Sequence, residues 1–208
     1  MATLNSSTPR TWTSSETVTA AMLNEELSSN FNATVAYLGT DYKSDTSSSV
    51  FTMALPALNG STHHKHVRIV GQARTETAAQ VTLRLQFNGI TSSVYSYSFL
   101  QGIGAASSGS QAASTSSAIV GWSAGSTTLA GLGFAPFDIT LSNVASTNWK
   151  SWVSEASLPL STASGGLACA IFGGVMQSTI STTTVVLLFN ADGSKFSSGS
   201  RASLYWIP

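Results

Sequence analysis

Apolar and polar positions change their rhythm once along this chain, near residue 45. Before that point Leu23, Leu27, Phe31, Val35 and Leu38 recur at intervals of four, four, four and three, the stripe of one helix face. Thr19 can cap that helix by accepting a hydrogen bond from an orphaned backbone N–H. Val18 and Leu23 then stand at the two positions of a hydrophobic staple. Glu25 and Glu26 suit the positive end of its dipole, and Gly39 suits its stop. The spacing predicts a helix over 19–30, with its stripe running on to 38. Residues 1–18 are polar and turn-rich and read as an arm, in which Pro9 and Trp12 are the strong features.

After residue 45 the rhythm is that of strands. Short β-branched or aromatic segments alternate with Ser, Gly and Asn turns, at 49–55, 66–73, 80–88, 93–100, 117–123, 136–143, 149–154, 167–176, 182–190 and 201–207. Alternation is clearest where Val81, Leu83, Leu85 and Phe87 face one way and Thr82, Arg84 and Gln86 the other, as in a sheet wet on one face. Asn88-Gly89 directly after that strand is a hairpin-turn signal. Many short strands without intervening helices predict an all-β fold. The expectation is an antiparallel two-sheet sandwich of jelly-roll type, preceded by the arm and one short α-helix. The boundary is drawn at 1–40 for arm and helix and 41–208 for the β domain. Gly102 to Ser117 is Gly/Ser/Ala-rich and reads as a flexible or exposed binding loop.

Composition narrows the possible functions. Of 208 residues only 9% are charged, with nine Lys+Arg against nine Asp+Glu; an ordinary domain has about 25%. Ser and Thr make up roughly 30% of the chain, far above average usage. With 42% hydrophobic residues the chain is no disordered tail, and without a basic excess it is no nucleic-acid binder. Apolar runs of about five residues fall far short of the ~20 needed for a spanning helix. The opening MATLNSSTPR shows no apolar signal region, so no secretory leader is expected. Cys169, the single cysteine, lies in an apolar run and reads as a buried small hydrophobe.

Candidate chemistry is sparse. Gly121-Trp122-Ser123-Ala124-Gly125 matches the G-x-S-x-G nucleophile elbow, but no helical pattern follows it and all three histidines lie upstream. Gly102-Ile103-Gly104 and Gly131-Leu132-Gly133 complete no dinucleotide fingerprint, and no paired carboxylates stand out beyond Glu25-Glu26. No enzyme activity and no cofactor is expected. His64 and His66 would share one side of a strand and could offer two imidazoles to a metal on a three-fold axis, but a solvated turn entering the strand at 66–73 is the preferred reading, and no metal is expected. Tyr95, Tyr97 and Phe99 line one strand face, as core or as a stacking surface for sugar rings. Trp149 and Trp152, three apart, cannot both face inward on one regular strand. Tyr95, Tyr97, Trp149 and Trp152 are therefore the candidate ligand contacts.

Two stretches, with support from the middle, carry a family resemblance. Thr8-Pro9-Arg10-Thr11-Trp12 followed by Val18-Thr19-Ala20-Ala21-Met22-Leu23-Asn24 resembles an opening shared by virion proteins of tailed bacteriophages. Phe196 to Ile207 (FSSGSRASLYWI) is similar to their closing strand, with Trp206 where Gly is more usual. His66-Val67-Arg68-Ile69 and Leu83 to Gly89 also look like that group. The resemblance implies a non-enzymatic, multi-copy virion component: a tail-fibre-like or minor tail protein, or a capsid fibre or decoration protein. Such proteins are commonly trimeric. The implied partners are further copies of the chain, other virion proteins reached through the arm, and a host-surface glycan. The implied location is the virion, assembled in the host cytoplasm. Trp12, Leu23, Leu27, Phe31 and Val35 are then the candidate oligomerisation and anchoring residues.

Overall fold

The computed structural model describes residues 36–43, 48–55, 66–126, 133–144, 146–160, 166–182, 184–189 and 194–207. Twelve strands fill them: β1 (Ala36–Lys43), β2 (Val50–Ala54), β3 (His66–Ala73), β4 (Val81–Phe87), β5 (Tyr95–Ile103), β6 (Ala106–Thr115), β7 (Ala118–Ser123), β8 (Ala135–Ser142), β9 (Lys150–Pro159), β10 (Leu167–Met176), β11 (Thr184–Phe189) and β12 (Arg201–Ile207). No helix occurs among the described residues, and the chain is all-β there.

The strands form two antiparallel sheets. One has eight strands in the order β1-β12-β3-β8-β9-β10-β5-β6, the other four in the order β2-β11-β4-β7. Alternation decides what each buries. On β9 the inward set is Lys150, Trp152, Ser154, Ala156 and Leu158, while every second residue between them faces out. Phe51 and Met53 of β2, Leu83, Leu85 and Phe87 of β4, and Val185, Leu187 and Phe189 of β11 come from the small sheet. They meet Val67, Ile69, Phe137, Ile139, Leu141, Trp152 and Phe172 from the large one in a single core. Fully burying each large side chain contributes about 1.5–3 kcal/mol. Phe196, ahead of β12, closes one part of that core by stacking on Phe51 at 4.0 Å and meeting Phe189 at 4.1 Å.

Ten of these strands coincide with the segments read from the sequence, and two do not. The first departure is β1: the apolar stripe continued to Leu38 as helix, yet Ala36–Lys43 is a strand paired with β12. Among the described residues, strand structure is thus already present at Ala36, ahead of residue 41. Pairing with β12 satisfies the backbone groups there, and tertiary pairing outweighs local propensity. The predicted helix itself, at 19–30, lies outside the described residues, as does the arm.

The second departure is β6. The stretch 102–117 is no loop: a two-residue turn at Gly104-Ala105 joins β5 to β6, with Ile103 opposite Ala106. The left-handed φ of 57° at Gly104 suits that tight connection. Ser/Gly/Ala composition gives β6 little side-chain reason to be a strand; its partner β5 supplies the reason. Asn88-Gly89 does form a turn, with φ of 52° and 65° and Ile90 N–H donating to Phe87 O at 3.0 Å. It makes no hairpin, because β4 pairs with β11 and β7 while β5 belongs to the other sheet.

Candidate functional site

The outward face of the large sheet concentrates what is unusual about this surface. Register can be followed strand by strand: Gly109 on β6, Leu100 on β5, Ile171 on β10, Glu155 on β9, Asp138 on β8 and Val70 on β3 stand opposite one another in turn. All but Gly109 carry side chains that point away from the core. Leu100 is 72% exposed, Ile171 57% and the nearby Val153 56%. Single exposed apolar residues are ordinary, whereas contiguous ones mark an interaction site.

This face is concave. Five inter-strand spacings of ~4.8 Å separate β3 from β6, about 24 Å along the sheet. Yet Val70 on β3 and Ser107 and Gly109 on β6 line the same cavity of about 1040 Å³. A second hollow of about 580 Å³ shares Leu100, Gly109 and Ile171 with it, so the two form one trough. Gly109 helps shape it: a Cβ there would stand 2.9 Å from Leu100 Cδ2, so the leucine leans over the β6 backbone.

The trough has a charged wall. Arg68 Nε donates to both Asp138 oxygens, at 2.9 and 3.0 Å, and its Nη2 donates to Oδ2. That hydrogen bonding, and then the Asp138 charge, hold the guanidinium above its ordinary pKa. Glu155 is exposed beside Asp138 in register, and no cation lies within ion-pair distance of it among the described residues. Cys169 is exposed on the floor of the trough instead of buried: alternation on β10 turns Ala168, Ala170 and Phe172 inward and Cys169 and Ile171 outward.

The residues singled out from the sequence are not gathered here. Tyr95 is fully buried; its hydroxyl accepts from Phe87 N–H at 3.0 Å and donates to Ile90 O at 3.1 Å, and burial pushes its pKa up to about 12. Trp152 is 2% exposed and meets Phe87 and Tyr95 at 6.4 Å between ring centroids. Both belong to the core, which withdraws them as ligand contacts. Tyr97 is half-buried against the same core. Trp149 alone of the four is exposed, between β8 and β9. None of the four lines the trough.

His66 Nδ1 lies 3.0 Å from Ser142 Oγ, and His64 lies outside the described residues. Among the described residues no three His, Cys, Asp or Glu side chains are grouped to hold a metal. Ser123 of the G-x-S-x-G match is fully buried and its hydroxyl donates to Val81 O on the neighbouring strand at 3.3 Å. Trp12, Leu23, Leu27, Phe31 and Val35 lie outside the described residues.

The residues that do build the trough carried a sequence signal of another kind. Leu100 breaks the parity of Tyr95, Tyr97 and Phe99. Ile171 breaks that of Ala168, Ala170 and Phe172, and Val153 sits next to Trp152. Strands apolar at both parities are strands expected to be covered on both faces. No family model, no curated protein and no solved structure matches this chain.

Proposed function

We infer that this chain is a non-enzymatic structural protein of a bacteriophage virion, assembled as a homo-oligomer, with a trimer as the expected state. The single observation that carries the assembled, non-catalytic part of this reading is the apolar trough on the outward face of the large sheet. A face with Leu100, Ile171 and Val153 this exposed is suited to being covered by protein. The virion part comes from the resemblance at both ends of the chain. A tail-fibre-like or minor tail component with a host-attachment role is the reading preferred.

Strand order supports a finer description of the fold. Taking β1, β2, β3, β4, β7, β8, β11 and β12 as the eight strands of a jelly roll gives one sheet β1-β12-β3-β8 and another β2-β11-β4-β7. That is the interleaved order two Greek keys produce, with first strand beside last and third beside last. On this reading β5–β6 and β9–β10 are insertions that widen one sheet and create the trough. Jelly rolls are common among viral capsid domains, which favours capsid-surface fibre or decoration placement as the second reading. Lectin domains share the architecture, but two of the aromatic rings expected to meet a sugar, Tyr95 and Trp152, are in the core, which disfavours a stand-alone sugar-binding module.

Light scattering on the full chain tests the proposal. The expected result is a homo-oligomer that Ile171→Asp dissociates while the fold, followed by circular dichroism, is kept. A monomer at all concentrations, unchanged by Ile171→Asp, would overturn it.

A further inference from the structure

We propose that the trough is the seat of this chain's own N-terminal arm, with Arg10 paired to Glu155 and Trp12 laid over Leu100 and Ile171. The inference deepens the oligomeric reading by naming what covers the apolar face, and it depends on that reading only for which subunit supplies the arm.

Charge and shape point to this occupant. The charged residues lining the trough are Asp138 and Glu155, and Arg68, which stands outside the lining, is committed to Asp138. Glu155 thus faces the trough as an exposed carboxylate that makes no ion pair among the described residues, its charge acting on Arg68 only as a minor, longer-range contribution. The first fifteen residues contain one charged side chain, Arg10, and no acid. In an extended segment residues i and i+2 share a side, so Arg10 and Trp12 present a cation and a large apolar ring together. The trough offers their complements in one register row: Glu155, then Ile171 and Leu100 on the next two strands. A volume of about 1040 Å³ accepts an indole with its flanking backbone. Pro9 favours the extended approach that a shallow trough needs.

Reach is sufficient. From β1, where the arm segment enters the fold, to β10 is five strand spacings, about 24 Å. About 24 residues link Trp12 to Ala36. Even with the predicted helix of 19–30 inside them they span about 58 Å, at 1.5 Å per helical and ~3.3 Å per extended residue. The arm can therefore reach the trough of its own subunit or of a neighbour.

Cys169, the one native thiol, lies exposed on the trough floor and supplies the test. Full-length Thr8→Cys, Thr11→Cys and Thr13→Cys chains are oxidised mildly beside Ser92→Cys, an exposed control site outside the trough lining. At least one arm cysteine should couple to Cys169 about tenfold faster than the control, because docking raises its effective concentration there. Glu155→Lys should reduce that coupling to the control rate, and adding Arg10→Glu in the same chain should restore it. Coupling no faster than the control at all three positions, or coupling indifferent to the charge reversal, would overturn the proposal. Cross-linked dimers on a non-reducing gel assign the arm to a neighbour and an internal loop assigns it to the same subunit; either is docking. An oligomer by light scattering without arm coupling defeats this inference and leaves the function standing. Internal coupling in a monomer does the reverse.

Discussion

Trp152 on β9 and Gly174 on β10 are register partners, and the indole occupies the space a side chain at 174 would need. A Cβ there would overlap both Trp152 Cζ2 and the Ser96 carbonyl on β5. Gly174 thus lets the largest buried side chain of the core lie flat across β10, where it meets Phe87 and Tyr95. Gly174→Ala should destabilise by about 1–3 kcal/mol through overpacking, against the ~0.5–1 kcal/mol an alanine ordinarily gains over glycine in a strand. Urea denaturation followed by tryptophan fluorescence measures it; an unchanged midpoint would show that the sheet yields easily at this point.

Tyr95 closes the same cluster, and its hydroxyl is the polar group on which the turn after β4 rests. Tyr95→Phe leaves Phe87 N–H and Ile90 O without that partner and should cost about 1–3 kcal/mol. The pH dependence has a definite sign. The folded pKa is about 12 against an ordinary 10, so the native state keeps a proton that the unfolded chain releases. The stability linked to this group is complete below pH 10 and is lost as the pH rises toward 12. Subtracting the stability curve of Tyr95→Phe from that of the wild type should isolate this decline; a flat difference above pH 10 would contradict it.

The turn at Asn88-Gly89 gives a smaller and cleaner prediction. Gly89 has φ +65° with nothing within 4 Å of a Cβ, so an added methyl meets no atom and the whole penalty is conformational. Gly89→Ala should cost about 1 kcal/mol. Asn88 should tolerate change less well, since its side chain donates to Ser181 O at 2.9 Å and accepts from Thr184 N–H at 3.0 Å, tying the turn to the start of β11. Thermal melts of Gly89→Ala and Asn88→Ala rank the two.

These features differ in how far the sequence announces them. Strands such as 66–73, 167–176 and 201–207 were legible because alternation and β-branched residues are local properties. β6 was not, since its Ser/Gly/Ala run becomes a strand only beside β5. Ala36–Lys43 was not, since β12 lies more than 150 residues further on. The turn at Asn88-Gly89 was legible as a turn, while its use as a crossing between sheets depends on which strands later claim β4. The trough is hardest of all. Its row from Gly109 to Val70 depends on the register of six strands drawn from three separate parts of the chain. What the sequence did carry was broken parity at Leu100, Val153 and Ile171, which says that an outer face is to be covered without saying which one.

Lys150 is the remaining tension in the core, and the one with a pH signature opposite to that of Tyr95. It opens β9 on the inward side and is fully buried; Nζ donates to Ser146 O at 2.7 Å and to Asn148 O, both in the loop before it. Carbonyl dipoles offset only part of the lost hydration, and desolvation lowers the ammonium pKa below 10.5. Between that lowered value and 10.5 the unfolded chain binds more protons than the native one, so stability linked to Lys150 rises with pH across the window. Lys150→Met keeps the apolar stem and removes the charge. At pH 7 it should be at least as stable as the wild type, and the rise toward pH 10.5 should vanish from its denaturation curve. If Lys150→Met is instead clearly less stable at pH 7, the two carbonyl contacts matter more than the burial of the charge. The ammonium would then be the clamp that holds the Ser146–Asn148 loop against the end of the sheet.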